Sequence, residues 1–388
     1  LESEEVLGWR SPKRLAARTI ADRHGRVMSA LSPTLDQQGL ITPTGAFYIV
    51  QHFAVPEPLD AADWKLAIDG HVERPRTLTY EQLLALPSRT VRALFECSGN
   101  DAQFFDSETA RRTVEARRRF YPDYAGSRSD GCLLSAAEFT GVSLATVLGE
   151  SGVKAGAAAV RVQGRDSGSP NLPMHGLPPS DKEIPPFNYD KGFPIEKALD
   201  ADTILAWGMN GERLDHIHGA PVRLVAPGWS ANWSVKWAER FEVLDRPATC
   251  WYQTEYYYFS KSADDPNREV ITALPVKSMV TFPRDRDAVL TRGGHTLRGL
   301  AWSGAARISA VEVSLDDGAS WHQGRIEEPR ERWLWVRWSL PWEFERPGKY
   351  VILCRATDEA ANVQPREPRR NYLRKNFNGI VPVEIVVT

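Results

Sequence analysis

Residues 91–95 form an apolar run that stops at Ser98-Gly99-Asn100, which predicts a short buried strand ending in a turn. Upstream, residues 1–39 are polar and Arg-rich with little periodicity, and predict an extended surface arm carrying a short helix. The character changes at Ile41. Residues 47–53 read as a β-type run that Pro56 and Pro58 close, and Trp64, Leu66 and Ile68 alternate as in a half-buried strand. Short helices are expected at 80–86, ended by Pro87, and at 144–148, with strands at 159–162, 203–207 and 222–226. Residues 168–194 hold many prolines and glycines and predict a long loop of the kind that often carries function. Beyond 262 the pattern becomes short strands at 280–282, 297–302, 308–315, 333–338 and 350–356, with Asp316-Asp317-Gly318 as a tight turn. Regular turn signals over about 120 residues indicate a β-sandwich.

The 388 residues allow two domains, and 42% hydrophobic with 25% charged residues is ordinary for a soluble globular chain. A net charge of −2 gives no global attraction to nucleic acid or to an anionic membrane. Thirteen tryptophans and 27 prolines favour apolar clefts and ordered loops over a helical bundle. Cys97, Cys132, Cys250 and Cys354 are far apart and form no CxxC pair, which argues against a structural zinc site and a disulfide framework. No apolar run of ~18 residues and no signal peptide is visible.

Seven features could carry chemistry: Cys97; His52 with Tyr48, Ile49, Val50 and Gln51; Asp166; the His218 to Arg223 stretch; Pro227-Gly228-Trp229; Ser234-Val235-Lys236; and the aromatic residues 251–259. Each has a plain alternative. Cys97 could be an inert buried thiol, a lone histidine a structural donor, Arg223 a snorkelling strand residue, Asp166 a turn cap, and Tyr256 a core residue. Together, a thiolate, two histidines, an arginine and a lysine suit a bulky anionic ligand with a phosphate and many heteroatoms. No GxxxxGK[ST], credible GxGxxG, HExxH or GxSxG is present, so nucleotide binding, zinc proteolysis and serine hydrolysis are disfavoured.

The motifs resemble, in order, those of the sulfite oxidase family of molybdenum-cofactor enzymes. They are Phe95-Glu96-Cys97-Ser98-Gly99-Asn100, Ala206-Trp207-Gly208-Met209-Asn210-Gly211, His218-Gly219-Ala220-Pro221-Val222-Arg223, Ser234-Val235-Lys236-Trp237 and Pro275-Val276-Lys277-Ser278-Met279. In the second half they are Gly299-Leu300-Ala301-Trp302, Val313-Ser314-Leu315-Asp316-Asp317-Gly318 and Asn362-Val363-Gln364-Pro365. The resemblance implies an α+β molybdopterin-binding catalytic domain at 40–261 followed by an immunoglobulin-like β-sandwich dimerisation domain at 262–388. It implies a homodimer, Cys97 as the metal thiolate, and Tyr48, Ile49, Val50, Gln51, His52, Asp166, His218, Arg223, Ser234, Val235 and Lys236 as cofactor-binding positions. Tyr256 matches the tyrosine near metal and substrate. The implied reaction is oxidation of sulfite to sulfate by oxygen-atom transfer. No haem or flavin segment is seen, so electrons are expected to pass to a separate acceptor such as a cytochrome c. Heme-free bacterial relatives place the expected location in the periplasm, otherwise the cytoplasm.

Two departures qualify the substrate. Sulfite-oxidising members place an arginine where this chain has Val50, and often another soon after the Gly-Asn of the cysteine motif, where Asp101 stands. An oxyanion pocket without that cation binds more weakly, so Arg332, Arg337 or Arg165 is expected to replace it, or the substrate is sulfane sulfur, a sulfoxide or nitrate. The Arg-rich segment 111–119 reads as a solvated face or a docking surface for an acidic partner. Rivals from other classes are a thiol-nucleophile enzyme using Cys97 and His52, and a non-catalytic binding protein built on the sandwich.

Overall fold

The structure is a computed structural model that describes residues 19–21, 27–29, 39–105, 133–172, 183–262, 264–283, 289–369 and 371–388. Most of the N-terminal arm, the segment 111–119 and Cys132 lie outside the described residues.

The first half is built on two mainly antiparallel sheets. One runs in the order Arg76–Thr79, Lys65–Gly70, Ala238–Leu244, Ala159–Gly168, Phe187–Pro194. Its one parallel pairing joins Ala238–Leu244 to Lys65–Gly70. The other runs Glu212–Arg213, Ile204–Met209, Leu134–Ser143, Ser88–Glu96, and Arg223–Val225 also pairs with Ile204–Met209. The alternation at Leu66 and Ile68 buries both side chains, while the Trp64 indole donates to the Ala238 carbonyl at 2.9 Å. Among the described residues the α-helices are Tyr80–Leu84, Leu144–Ser151, Ile195–Ala198 and Trp251–Glu255. The first starts at a reciprocal Thr79–Gln82 cap, which satisfies two otherwise orphaned backbone donors. The α share of the expected α+β domain is therefore small, and the architecture is mostly β.

Two stretches differ from the pattern-based reading. Residues 47–53 form no named strand; a 3₁₀ turn at Thr44–Ala46 feeds an extended segment with a single bridge residue at Ile49. The run is apolar because it faces a cavity wall, not because it joins a ladder. Conversely, Phe187–Pro194, within the expected 168–194 loop, is a full strand paired to Ala159–Gly168. That pairing shifts register between Gln163 and Ser167, so the strand absorbs its irregularity in a bulge around Asp166.

The second half holds two facing sheets, ordered Lys277–Phe282, Gly293–Trp302, Val336–Phe344, Arg325–Ile326 and Val289–Leu290, Val383–Val387, Gly348–Asp358, Ile308–Ser314, His322–Gln323. Leu297, Val336 and Trp338 of the first share one buried core with Val311, Ile352 and Ile385 of the second. The strand expected at 333–338 starts only at Val336, because Trp333 turns away toward the first half. There its carbonyl accepts the Leu94 amide at 2.8 Å and its indole donates to Asp202 at 2.7 Å.

The halves are welded together. Leu94, Leu134 and Ala136 pack in one apolar cluster with Leu274, Met279, Leu300, Trp302 and Trp335. At Gly304 a Cβ would sit 2.0 Å from the Gly228 carbonyl oxygen, so the backbones meet where no side chain fits. Beside this seam lies a buried ion cluster. Lys277 Nζ donates to Glu96 Oε1 and Asp101 Oδ2, each at 2.7 Å, and the Trp302 indole donates to Glu96 Oε2 at 2.9 Å. Burial pulls the Lys277 ammonium down, but Asp101 and Glu96 outweigh it and its proton is held more tightly than usual. Removing one partner of such a cluster strands the others without water. Lys277→Met should therefore cost about 3–5 kcal/mol of stability in urea unfolding; a loss under about 1 kcal/mol would show that the cluster is not what joins the halves.

Candidate active site

Cys97 lies one residue beyond the end of Ser88–Glu96. Its amide donates to the Leu133 carbonyl at 3.0 Å, and its carbonyl accepts the Asn100 amide at 2.8 Å, closing the turn. The turn is held from outside as well. Ser98 bonds the Ser230 hydroxyl, Asn232 donates to Ser98 Oγ at 3.0 Å, and the Asn376 amide from the second half reaches the Ser98 carbonyl at 2.8 Å. The half-buried Cys97 thus opens onto a partly open cavity.

The cavity wall gathers Tyr48, Ile49, Val50, Gln51, His52, Cys97, Asp166, His218, Arg223, Ser234, Val235 and Lys236, which is every sequence-predicted position except Tyr256. Tyr48 is fixed by its amide bond to Ser135 Oγ at 3.2 Å. The Arg223 guanidinium lies 5.0 Å from the Phe95 ring centroid and donates to the carbonyls of His218 and Ser234, each at 2.9 Å. Those two bonds tie together the loops that bring His218 and Lys236 to the wall. Ser234 Oγ accepts the Ala226 amide at 3.0 Å, and Lys236 Nζ donates to the Ile217 carbonyl at 3.2 Å. Gly219, at φ 110°, is needed here: a Cβ would come within 3.0 Å of both the Arg223 and Lys236 side chains.

Tyr256 lies next to the cavity rather than among its lining residues, its ring centroid 6.5 Å from that of His52. Tyr257, not Tyr256, lines the cavity, and its hydroxyl lies 2.6 Å from His52 Nε2. Tyr256 caps the helix Trp251–Glu255 and stacks its ring beneath Lys375 Nζ, 3.8 Å from the centroid. The proposed substitutes for the missing cation at Val50 are also displaced. Arg332 donates to Ala305 O at 2.7 Å, Arg337 pairs with Glu327 at 3.1 Å, and neither they nor Arg165 line the cavity. The wall also includes Tyr189 and Asn232, which the sequence reading missed. Asn232 sits between two motifs that were read, Pro227-Gly228-Trp229 and Ser234-Val235-Lys236, and that position was the available signal. Tyr189 gave none.

The electrostatics are those of a site made for a ligand that brings both anionic and donor groups. Burial pushes the Asp166 carboxyl up, against the pull of Lys236. Burial holds Lys236 down, and Arg223 adds to it. Asp166 Oδ1 and Asn232 Oδ1 are buried with no hydrogen-bond partner among the described residues. Such acceptors are costly unless a donor arrives. A pterin would supply N–H donors to these oxygens, its phosphate an anion for Arg223 and Lys236, and Cys97 a soft donor for molybdenum. Among the described residues no group of three or more His, Cys, Asp or Glu could hold a metal ion unaided, so the remaining ligands would have to come with the cofactor. The residues fit the group.

Comparison with known proteins agrees. Residues 52–252 match the family described as oxidoreductase molybdopterin binding domain, and residues 268–386 match the Mo-co oxidoreductase dimerisation domain. Fold and cavity together define a molybdenum-cofactor oxidoreductase. The chain belongs to the sulfite oxidase family. It is 33% identical over 339 residues to sulfite oxidase of Gallus gallus, covering 84% of this chain and 68% of that protein. It is 29% identical over 383 residues to a nitrate reductase [NADH] of Brassica napus, covering 90% of this chain but only 38% of the relative. The solved structure of the sulfane dehydrogenase SoxCD from Paracoccus pantotrophus superposes with a TM-score of 0.73 at 28% identity, over 95% of this chain and 86% of that one.

One buried group remains outside this account. Lys191 is fully enclosed, and burial lowers it to about 7. Above that value the folded chain has released a proton that the unfolded chain keeps up to 10.5, so the stability penalty of this lysine is largest below pH 7 and shrinks as pH rises. Lys191→Met should therefore melt at a higher temperature than the parent at pH 6, with the gap narrowing toward pH 9; a gap constant with pH would count against a buried titrating lysine.

Proposed function

We propose that this chain is a molybdenum-dependent oxidoreductase that oxidises sulfite to sulfate and passes the electrons singly to a separate, cytochrome c-like acceptor. The observation that carries the reading is the convergence of Cys97, His52, Tyr257, Arg223, Lys236 and Asp166 on one cavity. When bound, the cofactor supplies oxygen-atom transfer and stores the two electrons. Cys97 would hold and tune the metal. Arg223 and Lys236 would anchor the phosphate, and Asp166 would accept the pterin's N–H groups. When His52 Nε2 carries its proton and donates to Tyr257, the phenol hydroxyl is left to donate to an anion in the cavity, and burial keeps it protonated well above its ordinary value.

Val50 favours a second reading, in which the same cofactor acts on a less highly charged sulfur compound such as sulfane sulfur. The likeness to the Paracoccus sulfane dehydrogenase supports it. We also place the domain boundary at 261/262, between the two family matches, and take the sandwich as immunoglobulin-like and as the surface of a homodimer. Its sheet orders, with the long strands Gly293–Trp302 and Val336–Phe344 opposed to Gly348–Asp358 and Ile308–Ser314, suit that class.

The test is turnover by molybdenum-loaded protein with ferricyanide or cytochrome c as acceptor, sulfite and thiosulfate being compared. Cys97→Ser should keep the parent's circular dichroism and lose at least about 10³-fold in kcat, since a metal ligand rather than a packing residue is removed. A fully active Cys97→Ser protein would sink the assignment. In the same assay Tyr257→Phe should lower kcat/KM by about 10²-fold, the loss of one oriented donor, and Tyr256→Phe should not.

A further inference from the structure

Lys191 sits on the strand Phe187–Pro194, opposite Val162, and none of its side chain reaches solvent. Its ammonium has no hydrogen-bond partner among the described residues. Aromatic faces surround it instead: Nζ lies 4.5 Å from the Tyr257 ring centroid, 4.9 Å from Trp233 and 5.9 Å from Tyr189. The carboxylate next to it in sequence, Asp190, is engaged by Arg161 Nη2 at 2.6 Å. The Cys250 thiol nearby is pushed up to about 12 by burial and stays neutral, so it provides no counter-ion. An ammonium has three donors to satisfy. Ring faces offset only part of the cost of burying the ion.

Two of the caging rings belong to the cavity wall. Tyr257 turns its hydroxyl to His52, and Tyr189 stacks on the His52 ring at 4.8 Å between centroids. The amine therefore stands immediately behind the two tyrosines, which line the same cavity as the neutral Val50. A cation against the face of a phenol ring makes its O–H a stronger donor and stabilises negative charge placed at that oxygen.

We propose that Lys191 is a positioning residue for an oxyanion, supplying from behind Tyr257 the positive charge that the cavity wall lacks at Val50. The proposal rests on the oxyanion reading of the function. An anion at the Tyr257 hydroxyl would add to the pull of Asp190, which burial of the ammonium outweighs, and the lysine reaches that anion through the ring rather than by contact. Linkage makes this reciprocal: an anion bound there raises the proton affinity of Lys191. Of the titratable and charged groups that face it, Cys250, Tyr189 and Tyr257 are neutral, and Asp190 is shared with Arg161 through Oδ2 while its Oδ1 has no hydrogen-bond partner among the described residues.

The experiment uses molybdenum-loaded holoenzyme and inorganic sulfate as the probe, with calorimetry near pH 7.5 in two buffers of different ionisation enthalpy. Sulfate should bind the parent with net proton uptake. Lys191→Met should weaken sulfate binding about ten-fold or more and abolish the uptake, and Lys191→Arg should restore binding to within about three-fold. In turnover, Lys191→Met should raise KM for sulfite by a similar factor with a smaller change in kcat. A purely structural lysine would leave proton uptake and sulfate affinity unchanged. Equal sulfate affinity in parent and Lys191→Met, or no sulfate binding in either, overturns the proposal. Sulfate binding that depends on Lys191 in an enzyme that does not oxidise sulfite leaves the proposal standing and removes the substrate reading instead. If Lys191→Met does not accumulate folded, Tyr257→Phe decides, because it keeps the cage and deletes the hydroxyl; unchanged sulfate affinity in that variant overturns the proposal equally.

Discussion

The structure depends on a lysine from one half neutralising two carboxylates from the other. Glu96 precedes the cysteine and Asp101 follows its turn, so Lys277 clamps both shoulders of the Cys97 loop at once. Trp302 fixes the second oxygen of Glu96, and Asn100 donates to both carboxylates, at 2.9 and 3.2 Å. The thiolate that would meet the metal is therefore aimed by the second half of the chain as much as by its own strand. This explains why the Pro275-Val276-Lys277 and Gly299 to Trp302 motifs accompany the cysteine motif although neither touches the cavity. It also gives Asp101 a role: the chain uses the position to build the clamp.

The cavity is organised by a second economy of donors. Arg223 uses its guanidinium to bind backbone carbonyls of two loops, and Gly219 leaves room for Arg223 and Lys236 to lie side by side. Arg223 adds to the burial that pulls the Lys236 ammonium down, so an anionic group between them is favoured. Asp166, held in a strand bulge, offers the complementary acceptor. The wall so formed carries Arg223 and Lys236 at one part, the Cys97 sulfur at another, and aromatic rings around His52.

Much of this was legible in the sequence, and the exceptions have physical causes. Strands at Lys65–Gly70 and Ser88–Glu96 announced themselves because one face or both are buried, and the turn after Cys97 because Ser98, Gly99 and Asn100 favour turns. The cavity residues were found because they lie in motifs. The run 47–53 misled because a chain lining an apolar cavity has the same composition as one in a ladder. The strand Phe187–Pro194 was hidden by Gly192 and flanking prolines, which mark breaks in most contexts but here leave the backbone pairing intact. Which of Tyr256 and Tyr257 lines the cavity is set by the exit angle of a five-residue helix, which adjacent identical residues cannot encode. Lys191 carried no signal, since nothing in a local pattern marks a lysine as caged by rings that are distant in sequence.

The carbonyl ties of Arg223 have one more consequence, for affinity. A phosphate-binding site made of loose loops must be ordered when the phosphate arrives, and the lost conformational freedom is subtracted from affinity. Here the loops bearing His218 and Lys236 are cross-linked by hydrogen bonds between groups of the chain itself, and the Cys97 turn is fixed by the clamp. Bonds within the chain thus offset part of the entropy of arranging the receptor.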